Sequence, residues 1–291
     1  MPEPAQPGFE ERLLAAFELR GRLCVGIDPH ESLLRDWDLP VSASGVREFG
    51  LRVVDAAAPR AGIVKPQVSF FERWGSAGYA VLEEVIRAAR DAGLLVLADA
   101  KRGDIGSTMD AYARAWLEPG AALEADAVTL SPYLGPDSLR STIAFAVRNG
   151  KGVFVLAATS NPEAAALQSA ELTSVQASRG QSVADWVAEG VGWANAEALR
   201  QGRPFGPAGL VVGATVDRSD LGLGDSALAG APILAPGFGA QGAALAELGE
   251  IFGGHAPRVI ASASRSVLSA GPAGISAAIE AHQRELGALR G

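Results

Sequence analysis

The sequence predicts an α/β protein, a (β/α)8 TIM barrel with eight parallel strands in a single domain of residues 1–291. Short apolar runs bounded by turn residues recur eight times, and most precede a segment with apolar positions three and four apart. Near-continuous apolar strands indicate burial on both faces, as in a parallel sheet, and eight strand–helix units over about 250 residues match a barrel. A doubly wound open sheet requires the same alternation and stays open as the alternative.

The predicted elements follow in order along the chain. The strands are Leu23–Ile27, Gly62–Val64, Leu94–Ala98, Ala127–Leu130, Val153–Ala157, Leu210–Gly213, Ile233–Ala235 and Val259–Ala261. The amphipathic segments predicted as helices are Val46–Ala58, Gly78–Ala92, Thr108–Leu117, Pro136–Asn149, Ser182–Arg200 and Gly242–Ile251. A further helix, Phe9–Leu19, precedes the first strand and is expected to close the barrel bottom. The irregular segment Asn161–Ser182 belongs to an insertion over about residues 161–208, and we expect it to act as a lid.

Composition excludes several classes of protein. With 25 Lys+Arg against 33 Asp+Glu, the net charge of -8 gives a nucleic acid no general electrostatic support as a partner. The single cysteine, Cys24, excludes an internal disulfide, and the three histidines have no metal-ligand spacing. The first residues lack a signal-peptide pattern and no apolar run approaches about 18 residues, so we expect a cytoplasmic protein without a membrane partner.

Lysine is rare in this chain. Lys65, Lys101 and Lys151 are the only lysines, so 22 of the 25 basic residues are arginine. The richness in Ala, Gly and Arg indicates a coding bias under which surface lysines drift to arginine, while a lysine with a chemical role is kept. Lys65 and Lys101 lie at the ends of apolar strands, which directs attention to those ends.

Charged side chains gather at the C-terminal ends of the predicted strands, where a parallel barrel places its active site. Asp28 ends the first strand, Lys65 the second, and Asp99 and Lys101 the third. Since Asp99 and Lys101 are two positions apart on a strand, both are expected to face the barrel interior, and Asp104 follows three residues later. Two carboxylates flanking Lys101 favour its ammonium form, which indicates a proton donor rather than a Schiff-base amine. A purely structural Asp–Lys ion pair is the alternative.

The segment PGFGAQG follows the seventh strand and fits G-x-G-x-x-G through Gly237, Gly239 and Gly242. A dinucleotide fold requires this motif after the first strand, so that interpretation fails. In a barrel, the loops after strands seven and eight commonly bind phosphate. We therefore expect a phosphate site in which Gln241 and Arg265 add side-chain donors.

A hydroxyl and an amide end the fifth strand. Ser160 and Asn161 can both hydrogen-bond a polar ring, but Asn161 before Pro162 is equally typical of a turn. The sequence leaves both interpretations open.

The block DAKRGDIGSTMDAYA resembles the signature of the orotidine 5'-phosphate decarboxylase family. VGIDP, IVKPQVSFFERWG, TSNP, PGFGAQG and SRSVL resemble its other blocks in the same order, from about Asp28 to Leu268. The long insertion resembles that of the bacterial subgroup with a longer chain. The resemblance implies cofactor-free, metal-free decarboxylation of orotidine 5'-phosphate to uridine 5'-phosphate in pyrimidine biosynthesis, by a homodimer whose active site is shared across the interface.

The resemblance also implies roles for individual residues. The charged array is Lys65, Asp99, Lys101 and Asp104, with Lys101 protonating C6 of the pyrimidine and Asp104 reaching the site from the partner subunit. The implied substrate-binding residues are Asp28, Ile105, Thr108, Ser160, Pro236, Gly237, Gly239, Gln241 and Arg265. Of these, Ile105 and Thr108 would reach the partner's site beside Asp104.

Two rival functions share part of this pattern. A metal-dependent 3-keto-acid sugar phosphate decarboxylase or synthase of the same barrel group shares only the D-x-K-x-x-D block, and Lys65 would repel its divalent ion. A non-catalytic nucleotide-binding barrel is the other rival, and it has no need of four charges kept close together.

Overall fold

The computed structural model describes residues 7–173, 179–239 and 242–287. Its eight strands pair in parallel and in sequence order, and β1 also pairs with β8, so the sheet closes into a barrel. The strands are β1 (Leu23–Ile27), β2 (Ile63–Pro66), β3 (Leu95–Arg102), β4 (Ala127–Leu130), β5 (Gly152–Ala158), β6 (Ala208–Val212), β7 (Ile233–Ala235) and β8 (Val259–Ala263). Closure confirms the predicted (β/α)8 barrel and excludes the doubly wound sheet.

Helices follow the strands and cover the outside of the barrel. The α-helices are α1 (Phe9–Arg20), α2 (Glu31–Asp36), α3 (Ala43–Ala57), α4 (Ser69–Glu72), α5 (Gly75–Asp91), α6 (Gly106–Leu117), α7 (Arg140–Arg148), α8 (Ala165–Gln168), α9 (Val183–Gly192), α10 (Ala196–Arg200), α11 (Leu248–Phe252), α12 (Arg265–Leu268) and α13 (Gly271–Gly287). Short 3-10 helices span Pro136–Leu139, Pro162–Ala164, Trp193–Asn195, Leu245–Glu247 and Gly253–Arg258. None of the described helices is long and apolar enough to cross a bilayer.

Three predicted helices differ from the structure, one of them Pro136–Asn149, which begins as a 3-10 helix over Pro136–Leu139 before α7. The helix predicted to begin at Gly242 is wrong at its start, because Gly242 has φ +111 and helical structure begins only at Leu245. The segment predicted as one helix over Ser182–Arg200 is divided into α9, a 3-10 turn and α10. Ser182 itself is the N-cap of α9, since its hydroxyl accepts the Asp185 N–H.

The barrel interior is apolar toward its N-terminal end. Side chains from successive strands, among them Ile63 and Phe154, form one buried cluster with Phe9 and Leu13 of α1. The Phe9 and Phe154 rings meet edge to face with centroids 6.0 Å apart. The helix α1 therefore closes the barrel bottom, as expected, and leaves the opposite end open.

The structure describes residues 161–173 and 179–207 of the insertion after β5, and residues 174–178 lie outside the described ranges. Within the insertion, Glu171 and Ser182 form an antiparallel bridge. Gly224, in the long loop after β6, donates its N–H to Asp185 at the start of α9. The insertion is thus tied to a neighbouring loop at the C-terminal end of the barrel, and its action as a lid stays a prediction.

Candidate active site

A cavity of about 440 Å³ opens at the C-terminal ends of the strands. Its charged and hydrogen-bonding walls include Asp28, Lys65, Gln67, Asp99, Lys101 and Thr129. Its floor is apolar, formed by Leu156, Val211 and Leu234. A polar wall above an apolar floor fits a flat ring with polar substituents.

In the cavity wall, one carboxylate lies between two ammonium groups. Lys65 Nζ donates to Asp99 Oδ2 at 3.1 Å, and Lys101 Nζ donates to Asp99 Oδ1 at 2.6 Å. The Lys65 side chain is only 7% exposed, whereas that of Lys101 is 46% exposed. Lys65 is therefore a fixed internal charge, and Lys101 presents its ammonium to whatever fills the cavity.

Neighbouring charges determine how these groups ionise. Burial by itself would raise the pKa of Asp99, but the ammonium groups of Lys65 and Lys101 outweigh burial and hold that pKa far below its usual range. Burial disfavours the Lys65 ammonium, yet the carboxylates of Asp99 and Asp28 more than offset it and raise the Lys65 pKa. Both groups are charged across the physiological pH range.

The backbone that carries Lys101 is not the regular strand that the two-residue spacing implied. The β3–β4 register jumps between Ala98 and Arg102, and Lys101 has φ +48, in the left-handed region. Asp99 and Lys101 nevertheless both line the cavity, as predicted. A bulge rather than simple alternation brings them together.

Sequence reasoning missed Gln67 and Thr129. Gln67 Nε2 donates to the Asp99 carbonyl oxygen at 3.4 Å, and its Oε1 accepts from Lys101 Nζ at 3.5 Å. The signal for Gln67 was its position two residues after Lys65, which places both on one face of an extended chain. The signal for Thr129 was a lone polar residue inside the apolar strand β4.

Asp28 follows β1 and contributes a hydrogen-bond acceptor. Its Oδ1 is buried and has no hydrogen-bond partner among the described residues. Because a buried polar atom without a partner is costly, this oxygen is suited to accept a hydroxyl donor from a ligand.

The polar residues that end β5 also line the cavity. Thr159, Ser160 and Asn161 face it together. Gln168 of α8 holds Thr159 through its Nε2, which donates to Thr159 Oγ1 at 2.9 Å. Asn161 donates to Glu163 at 3.1 Å in the turn that opens the next 3-10 helix. Asn161 therefore combines the two predicted interpretations, a cavity wall and a turn residue.

The loops after β7 and β8 form the end of the cavity predicted to bind phosphate. Pro236, Gly237 and Arg265 line it, and Arg265 is exposed. Gly239 packs instead against Ser266, where a Cβ would lie 2.5 Å from the Ser266 hydroxyl. Gln241 lies outside the described residues.

The predicted residues Asp104, Ile105 and Thr108 are not among those that line the chain's own cavity. Asp104 accepts the Ile105 N–H at 2.8 Å immediately before α6. Ile105 is 61% exposed, which is unusual for a large apolar side chain. Thr108 is likewise exposed and Asp104 is half-buried, in the segment that follows β3.

The described residues contain no group of three or more His, Cys, Asp or Glu side chains placed to hold a metal ion. The fold and the site together define a (β/α)8 barrel with a lysine–aspartate cluster at its mouth. The profile of the orotidine 5'-phosphate decarboxylase / HUMPS family matches residues 21–278. The chain belongs to this family, as the sequence motifs indicated.

Curated relatives and solved structures agree with this assignment. The orotidine 5'-phosphate decarboxylase of Corynebacterium glutamicum (strain R) is 50% identical over 264 residues, 91% of each chain. That of Corynebacterium efficiens is 52% identical over 265 residues, again 91% of each. A Streptomyces avermitilis crystal structure superposes with a TM-score of 0.90 at 44% identity, covering 99% of this chain and 98% of the other. Leishmania donovani OMP decarboxylase superposes with a TM-score of 0.72 at 31% identity, covering 97% and 98%.

Proposed function

We propose that this protein decarboxylates orotidine 5'-phosphate to uridine 5'-phosphate and carbon dioxide. The observation that carries the proposal is the Asp99 carboxylate held between the Lys65 and Lys101 ammonium groups at the cavity wall. Relatives at 50% identity named orotidine 5'-phosphate decarboxylase give the substrate.

The chemistry requires a cation near C6 of the pyrimidine. When the bond from C6 to the carboxylate breaks, the electron pair stays on C6 in an orbital that no ring carbonyl can delocalise as an enolate. A fixed ammonium stabilises this charge because it is oriented before the reaction begins. Lys101 supplies that ammonium, then its proton to C6, and water reprotonates the resulting amine.

Asp99 and Lys65 orient the proton donor. Asp99 binds the Lys101 ammonium through one oxygen and the buried Lys65 through the other, so the carboxylate cannot rotate away. A carboxylate kept ionised beside the substrate carboxylate also repels it, which favours departure of carbon dioxide.

Groups around the cavity bind the remainder of the nucleotide. The unpaired Oδ1 of Asp28 accepts a ribose hydroxyl, and Ser160 contacts the pyrimidine. Arg265 and the loop at Gly237 bind the phosphate, with Gln241 as a further donor. Binding energy from the phosphate positions the ring against Lys101.

We further propose a homodimer in which Asp104, Ile105 and Thr108 complete the partner's site. The position of these residues outside the chain's own cavity supports this, as do exposed apolar side chains on the loops after β3 and β4. Ile105, Tyr133 and Leu134 are 61%, 78% and 52% exposed. An isologous dimer would cover such a patch on both copies at once.

The free, buried thiol of Cys24 fits a reducing cytoplasm as the compartment.

The test is the absorbance change on adding purified, EDTA-treated protein to orotidine 5'-phosphate. We expect conversion to uridine 5'-phosphate without added metal. Folded, dimeric protein that gives no conversion would contradict the proposal. Activity that EDTA abolishes and a divalent ion restores would instead favour the metal-dependent members of the barrel group.

A further inference from the structure

Thr129 places a buried hydroxyl at the catalytic end of the barrel. It lies in β4 between apolar neighbours, its residue is 1% exposed, and it lines the cavity. Burying a hydroxyl costs free energy unless the hydroxyl is hydrogen-bonded, so the hydrogen-bond partners of Thr129 indicate its role.

The Thr129 hydroxyl contacts Lys101 through two routes. Its Oγ1 accepts the backbone N–H of Lys101 at 2.9 Å. It donates its own proton to Asp99 Oδ1 at 2.9 Å, the same oxygen that receives the Lys101 ammonium. One side chain thus holds both the backbone of the lysine and the carboxylate that orients its ammonium.

The backbone explains why such a contact is needed. Ala98 pairs with Val128 and Arg102 with Leu130, so three residues of β3 lie opposite the single residue Thr129. Lys101, at the end of this bulge, has φ +48, a conformation that costs free energy in a residue with a Cβ. Regular ladder pairing is interrupted at this point, and the Thr129 hydroxyl takes the Lys101 N–H instead.

We propose that Thr129 is a positioning residue that holds Lys101 in its left-handed conformation and so aims its ammonium at the reacting carbon. The inference rests on the proposed function for its catalytic consequence. The hydrogen bond from Lys101 to Thr129 can be tested without activity.

Two substitutions separate hydrogen bonding from packing. Thr129→Val keeps the shape and removes the hydroxyl, whereas Thr129→Ser keeps the hydroxyl and removes a methyl group. We expect Thr129→Val to lower kcat by about 10²-fold, since misplacement of a catalytic group by about 1 Å has this effect, with KM within about threefold. Thr129→Ser should recover most of the lost kcat. A residue that mattered only for packing would give the reverse order.

Thr142 supplies a matched control. It is also buried, on α7, and its hydroxyl has no hydrogen-bond partner among the described residues. Thr142→Val makes the same chemical change away from the cavity and should leave kcat and KM unaltered.

Amide hydrogen exchange at Lys101 gives a second, activity-independent measurement. Exchange should be faster in Thr129→Val than in wild type, and close to wild type in Thr129→Ser. If wild type fails to convert orotidine 5'-phosphate, the proposed function falls while exchange still decides whether Thr129 holds Lys101. A Thr129→Val variant with wild-type kcat and wild-type exchange at Lys101 would overturn the inference.

Discussion

Two clusters of charged side chains lie at opposite ends of the barrel and use the same residue types. The mouth cluster consists of Asp28, Lys65, Asp99 and Lys101, and the base cluster of Arg12, Arg90, Glu124, Asp126 and Lys151. Each contains a buried lysine that donates to a buried carboxylate, Lys65 to Asp99 at 3.1 Å and Lys151 to Glu124 at 2.6 Å. Their difference lies in how completely the charges are paired.

In the base cluster every carboxylate oxygen has a donor. Glu124 Oε1 accepts from Lys151 and from Arg90, and its Oε2 accepts the Gly120 N–H at 2.8 Å. Asp126 accepts from Arg12 through one oxygen and from the Val96 N–H, at 2.9 Å, through the other. This cluster ties helix α1 and loops to the strands, and each of its carboxylate oxygens already has a donor within the described chain.

In the mouth cluster, hydrogen bonding is incomplete. Two ammonium groups share the Asp99 carboxylate, Lys101 is half exposed, and Asp28 Oδ1 has no partner in the described chain. Such a cluster is costly to maintain, and the proposed substrate would complete its hydrogen bonds. The comparison teaches that incomplete hydrogen bonding, rather than the presence of buried charge, marks the mouth cluster as the candidate functional one.

The largest expected effect is at the mouth. Lys101→Ala should lower kcat by about 10⁴-fold, because both the fixed cation and the proton donor are lost. Binding of uridine 5'-phosphate, measured by calorimetry, should stay detectable since the proposed phosphate contacts lie elsewhere. Turnover at the wild-type rate would show that Lys101 is not the proton donor.

Subunit mixing tests whether the mouth cluster is completed by a second chain. Lys101→Ala and Asp104→Ala homodimers should each be inactive. An equal mixture should regain about a quarter of wild-type activity, since about half of the dimers are mixed and each mixed dimer holds one intact site. Absence of recovery, once subunit exchange has been demonstrated by mass, would contradict a shared site.

The sequence predicted which residues lie at the mouth better than it predicted the contacts among them. Asp28, Lys65 and Asp99 were found because each ends an apolar run, and a parallel barrel brings such ends together. The role of Thr129 depends on the β3–β4 register and on the left-handed backbone at Lys101, neither of which a local pattern encodes. Residues that act through non-local register can be placed on a strand from sequence, but their partners cannot.

At the base, substitution should affect stability rather than catalysis. Lys151→Met should lower the free energy of unfolding by about 3 kcal/mol, because it breaks a buried ion pair and leaves Glu124 with fewer donors. The kcat of the folded protein should not change. Arg200→Met is the control, since its exposed pair with Glu197 contributes about 0.5 kcal/mol or less. A large fall in kcat in the Lys151 variant would break the distinction between the clusters.

The lowered pKa of Asp99 predicts a pH dependence of stability. The unfolded carboxylate titrates near its ordinary value, so its stabilising contribution is complete above about pH 5 and is lost as pH falls toward the lowered folded pKa. Asp99→Asn should therefore lower the free energy of unfolding by about 2 kcal/mol at pH 7, and the difference from wild type should shrink in acid. Urea unfolding of both proteins from pH 7 down to pH 3 measures this difference in the free energy of unfolding. A difference that grows as the pH falls would contradict the prediction.

The smallest effect concerns Cys24, in β1 between the two clusters. The nearby Lys65 ammonium favours a thiolate, which in an accessible cysteine would increase reactivity. Burial outweighs this and raises the pKa of Cys24 to about 12, so the positive charge of the mouth does not activate the thiol. Iodoacetamide at pH 8 should leave Cys24 unmodified in the native protein and modify it fully in urea, as mass spectrometry would show. Rapid modification of the native protein would contradict this prediction. It would mean that the barrel opens far enough at its mouth to expose Cys24 in β1 to the reagent.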